Sequence, residues 1–69
     1  MSYRLTPIGE NRARRVVQTR DPEGAILDFL YRTKDPVEFE EILDETQMDD
    51  RTAKRVMERL LVKEYVREV

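Results

Sequence analysis

The chain has no cysteine, no histidine and no tryptophan, and only two glycines and three prolines among its 69 residues. Without cysteine there is neither a disulfide framework nor a thiolate metal site, and the redox compartment leaves no trace. Without histidine the commonest general base and the commonest neutral metal ligand are both missing, which argues against an enzyme and against a bound cofactor. Long apolar runs are absent too. The longest are of the length of Leu60-Leu61-Val62, far short of the about 20 residues that span a bilayer, and the N-terminal stretch has no signal-peptide core. These absences point to an intracellular, cytoplasmic protein.

Charge is abundant: 41% of residues are charged and 39% hydrophobic, as in a small globular domain with a heavily charged exterior. A chain of this length forms one domain, residues 1–69, and buries only about 60% of its unfolded surface, so it is a marginal monomer or a dimer. The net charge of −2 conceals a partition. Residues 1–20 carry five arginines against Glu10, residues 21–50 carry eleven acids against Arg32 and Lys34, and residues 51–69 carry six bases against three acids. A fold that brings its two ends to one side would have a basic face and an acidic back, although charge blocks also serve solubility alone.

The clearest stretch is Asp49 to Leu61, where Ala53, Val56, Met57, Leu60 and Leu61 repeat with the spacing of an amphipathic helix. Its other face holds Arg51, Arg55, Glu58 and Arg59, with Thr52 at the border. Asp49 suits the N-cap, and Met48 and Ala53 are spaced as a hydrophobic staple. This helix is expected over 50–63. Ahead of it, Asp35-Pro36-Val37-Glu38 reads as cap, first-turn proline and capping box. A helix over 36–45 would bury Val37, Phe39, Ile42 and Leu43 and leave Glu38, Glu40, Glu41, Asp44 and Glu45 outside. Asp21-Pro22 opens a helix over 22–33 that is apolar around more than half its circumference, the central core helix. Thr6-Pro7 opens another over 7–19, with a stripe of Ile8, Ala13, Val16 and Val17 and with Gly9 as its weak point. Residues 2–6 and 65–69 are β-prone, and Tyr3 and Tyr65 suit a cross-strand pair.

Glu41-Ile42-Leu43-Asp44-Glu45-Thr46, the following turn, Asp49-Asp50-Arg51-Thr52-Ala53-Lys54-Arg55-Val56-Met57-Glu58-Arg59-Leu60 and Tyr65-Val66 together resemble the helix-turn-helix and following strand of winged-helix transcription regulators. Leu5-Thr6-Pro7-Ile8-Gly9 is similar to the segment that, in MarR-like members, forms the last wing strand and starts the next helix. Here it precedes the three helices. The resemblance covers residues 2–10 and 24–67 and implies a mainly α fold with four helices and a two-stranded antiparallel sheet made from the two chain ends. Two positions depart from the family pattern. Gln47 stands at the turn where glycine is usual and must adopt an unusual backbone angle or another turn, and Glu64 stands where glycine commonly precedes the strand.

The resemblance implies double-stranded DNA as partner, with helix 50–63 in the major groove. Arg51, Thr52 and Arg55 would meet base edges or phosphates, Lys54 and Arg59 the backbone, and Arg4, Arg12 and Arg15 further phosphates. Asp50 opposes this. The alternatives stay open: an ordinary solvated helix face, or an interaction module that offers the acidic face of helix 36–45 to a basic protein. A homodimer would use helix 7–19, whose stripe serves intramolecular packing equally well. Catalysis finds little support, because neighbouring carboxylates such as Glu40 and Glu41 point about 100° apart on a helix. An oxygen site for a divalent cation from Asp44, Glu45, Asp49 and Asp50 lacks calcium-loop spacing.

Overall fold

The structure, a computed structural model, describes residues 1–15 and 21–69. In chain order the elements are β1 (Ser2–Leu5), α1 (Pro7–Arg14), α2 (Pro22–Thr33), β2 (Val37–Glu38), α3 (Phe39–Thr46), α4 (Asp50–Val62) and β3 (Val66–Glu68). Among the described residues the fold is mainly helical, with four helices and a small antiparallel sheet. That sheet has three strands in the order β2-β1-β3, one more than the sequence suggested. Tyr3 pairs with Val37 on one side and Glu68 on the other, and Leu5 pairs with Val66. Tyr3 and Tyr65 are therefore not opposite one another. Tyr65 lies beside Thr6, whose N–H donates to its carbonyl at 3.0 Å.

The third strand comes at the expense of the helix expected over 36–45, which begins only at Phe39. Val37 follows Pro36, is β-branched, and becomes fully buried when it pairs with Tyr3. Pairing buries Val37 and gives its peptide group a ladder partner in Tyr3, which a first helical turn there would not. The N-cap moves from Asp35 to Glu38, whose N–H donates to the Glu41 carboxylate at 3.3 Å. The other starts lie where the sequence puts them. The Thr6 hydroxyl accepts from Gly9 N–H at 3.0 Å, Asp21 from Glu23 at 3.3 Å and Asp49 from Thr52 at 3.3 Å, each opening its helix. α1 is described to Arg14 with Arg15 as its cap, and the expected continuation through Thr19 lies outside the described residues.

The core gathers one face of every element. Ile26 and Leu27 of α2, Val37 of β2, Ile42 of α3, Leu60 of α4 and Val66 of β3 are the largest side chains shut off from solvent. α2 is its centre, in contact with α1, α3, α4 and β1. On α4 the buried set is Ala53, Val56, Met57 and Leu60, while Leu61, the fifth residue of the apolar spacing, is only partly buried, and Met48 packs against the core just ahead of the cap.

Both departures from the glycine pattern are met by positive backbone angles on ordinary residues. Gln47 ends α3 at φ 59°, and its side-chain amide donates to the Asp44 carbonyl at 2.6 Å. Glu64 takes φ 63° just beyond α4, where its N–H donates to the Leu61 carbonyl at 3.1 Å and the Tyr65 N–H to the Leu60 carbonyl at 2.9 Å, a Schellman closure. A side chain in that conformation is strained where glycine is not. Glu64→Gly is accordingly expected to raise stability by about 0.5–1 kcal/mol, read as a higher urea midpoint with unchanged slope.

Candidate functional site

α4 is held firmly at both ends. At its start Asp49 accepts from the Thr52 N–H and, at 2.6 Å, from the Thr52 hydroxyl. At its end Lys63 bonds Glu23 of α2 at 3.3 Å and lies over the Tyr65 ring at 5.9 Å. Burial of the aliphatic face fixes the rotation of the helix, so the opposite face must look outward. Arg51, Lys54, Arg55, Glu58 and Arg59 are all exposed. Lys54 pairs with Asp50 at 3.4 Å. Among the described residues Arg51, Arg55 and Arg59 are in no ion pair.

Spaced four residues apart, these three arginines form a row about 12 Å long at 1.5 Å rise per residue. Asp50, which stood against an anionic partner, is paired with Lys54 only at the solvent-exposed surface, at the cost of one predicted backbone contact. Thr52 is half-buried and its hydroxyl is committed to the cap, so it retains little to offer a base edge.

The remaining predicted cations lie on other elements. Arg12 and Arg15 are exposed at the C-terminal end of α1. Arg4, on β1, stands directly opposite Arg67 of β3 and lines a groove with Arg14 rather than a hollow along α4. Arg67 escaped the sequence reading; only the strand register brings it to Arg4. Of the stripe offered for a dimer, Ala13 is buried in the core, Ile8 is 55% exposed, and Val16 and Val17 lie outside the described residues. The acidic residues Glu40, Glu41, Asp44 and Glu45 are exposed on and around α3. Among the described residues no three acidic side chains come together as a metal site, and no helix is long and apolar enough to cross a membrane.

Two carboxylates are held below the usual range. Glu38 is lowered first by the hydrogen bond from the N-terminal ammonium, at 3.2 Å, and then by the Ser2 hydroxyl at 3.1 Å. Asp49 is lowered first by the Thr52 hydroxyl and then by the Thr52 N–H. Because the folded-state values lie beneath the unfolded ones, the stability they supply is fully present above the ordinary carboxylate range. It is lost as pH falls through the depressed values. Thermal melts at descending pH should show this loss, and a Glu38→Gln, Asp49→Asn double variant should show a smaller one. An identical acid limb in the variant would deny both carboxylates the role.

Comparison of the chain with protein-family models, with curated proteins and with solved structures gave no match.

Proposed function

We propose that this chain is a winged-helix domain that binds double-stranded DNA, a small transcription regulator with α4 in the major groove. The observation that carries the reading is the exposed row of Arg51, Arg55 and Arg59 on a helix whose other face is locked into the core. Support comes also from the three-residue turn between α3 and α4 and from Gln47 and Glu64, which take positive φ where the winged-helix pattern has glycine. In this reading Arg51 and Arg55 would meet base edges or phosphates and Arg59 the backbone, with Arg12 and Arg15 as outlying phosphate contacts, while Arg4 lies in a separate groove with Arg14. On a two-fold site the protein would act as a dimer through residues 7–19, with Ile8, among the described residues, an apolar side chain open to a partner.

A second reading is an interaction module, favoured by Glu40, Glu41, Asp44 and Glu45. All four are exposed and, among the described residues, in no ion pair. A mobility-shift assay with mixed-sequence duplex across a salt series separates the two. DNA binding should weaken steeply from about 50 to 200 mM salt, with a log-log slope near −0.9 per phosphate contact. Arg55→Ala should weaken it by about 1–3 kcal/mol without moving the melting transition. Glu40→Ala should leave it unchanged. Undetectable binding at low salt, or equal losses from both variants, would reject α4 as the DNA surface.

A further inference from the structure

A groove of about 560 Å³ opens between β1, α1 and the C-terminal end of α2, away from the arginine row of α4. Three separate elements and one cap deliver cations to it: Arg4 from β1, Arg14 from α1, Arg32 from α2, and Lys34, which ends α2 at φ 68°. Arg32 is engaged by Asp28 at 3.0 Å, while Arg4, Arg14 and Lys34 are in no ion pair among the described residues. With Arg32 answered by Asp28, three cations against the two acids Glu10 and Asp35 leave this hollow a small local surplus of positive charge in a chain whose net charge is −2. Guanidinium and ammonium groups converging from different elements suit a phosphate, which takes bidentate and point-charge contacts together.

The remaining lining narrows the ligand. Leu5, Leu30 and Tyr31 supply apolar surface, of which Leu30 is almost fully buried and Leu5 and Tyr31 half-buried. The ladder adds a polar edge. Thr6 and Val69 donate to Tyr65 and Ser2 across the β1–β3 ladder, so alternation turns the peptide groups of Tyr3 and Leu5 to the other side. There β2 pairs with Tyr3 and stops, leaving Leu5 facing the groove. A phosphate alone would use only the cations, and a flat ring alone only the apolar wall. The two carboxylates are acceptors for hydroxyl or amino groups.

We propose that this groove binds a nucleoside monophosphate, with the phosphate on Arg4, Arg14 and Lys34, the base against Tyr31 and Leu5, and the ribose hydroxyls donating to Glu10 or Asp35. Its volume lies within the about 300–1,000 Å³ typical of small-ligand sites. The site does not depend on the DNA reading.

The test is a titration of the whole chain, followed by backbone amide shifts, with adenosine monophosphate, adenosine and inorganic phosphate as separate probes. Adenosine monophosphate should saturate and move Leu5, Tyr31 and Arg14, and each of the other two should bind more weakly. The Arg14→Gln, Lys34→Gln double variant should lose about tenfold or more in affinity for it, as expected for removal of two charge-assisted contacts. Lys34→Arg should largely keep it, and affinity for duplex DNA should be unaffected in both. No saturation, equal binding of inorganic phosphate, or a double variant that is folded by circular dichroism and still binds fully would overturn the proposal. A parallel loss of duplex binding would also overturn it, by making the groove part of a nucleic-acid surface. Failure of wild-type duplex binding with the nucleotide result intact would strike only the α4 reading.

Discussion

Gly9→Ala should destabilise the protein by about 3 kcal/mol or more, at or beyond the top of the range for overpacked sites. Two effects of opposite sign compete here. Alanine in a helix interior is favoured over glycine by about 1 kcal/mol, so from local propensity alone the substitution should help. A Cβ at this position, however, would lie 1.8 Å from the Tyr65 carbonyl oxygen and 2.7 Å from its carbon. Both are backbone atoms, and the loop that carries them is tied down. Thr6 N–H donates to the Tyr65 carbonyl at 3.0 Å, and the Thr6 hydroxyl donates to the Glu64 carbonyl at 2.5 Å. The loop can withdraw only by giving up the bonds that join the start of α1 to the start of β3. Since the whole domain holds on the order of 3–10 kcal/mol at about 0.05–0.15 kcal/mol per residue, most of its stability is at stake. Urea unfolding of the variant measures this directly, and an unchanged or raised midpoint would mean that helix and loop do not meet there.

Ile26→Ala should cost about 3–5 kcal/mol, toward the upper end for deletion of an aliphatic core side chain. The residue is fully shut off from water, and its helix touches α1, α3, α4 and β1 together. Neighbours approaching from several directions cannot all collapse into one void, and uncollapsed volume is what raises the penalty. The contrast with Arg55→Ala is the useful measurement. One side chain supports the fold and the other only decorates it, so the melting temperature should fall sharply in the first and hold in the second. A small loss at Ile26 would imply that α2 is not the packing centre.

Helix α2 was legible at both ends and α4 to within one residue, ending at Val62 rather than Lys63, because their signals are local: Asp21-Pro22 and Asp49 mark the starts, and the apolar spacing marks the buried face. The outward arginine row of α4 follows from the same periodicity. β2 was hidden for the opposite reason. Asp35-Pro36-Val37-Glu38 satisfies every helix-start rule, and what overrides them is pairing with Tyr3, a residue far away in the chain. Gly9 was misread in kind: the sequence marks it as a flaw in α1, whereas the structure uses its missing side chain to seat Tyr65. The Arg4–Arg67 juxtaposition and the groove around Arg14 and Lys34 depend on several elements converging, which no single stretch announces.

The middle strand of the sheet is β1, and its longer partner is β3, with Val69 N–H donating to the Ser2 carbonyl at 2.9 Å. During synthesis the segment that will sit at the centre therefore emerges ahead of the other elements of this domain, yet it must wait for residues 66–68 before that flank is covered. Closing so wide a loop is entropically slow compared with the neighbouring contacts among α2, α3 and α4. A nascent chain would thus dock its helices early and carry an open strand edge until translation has passed β3.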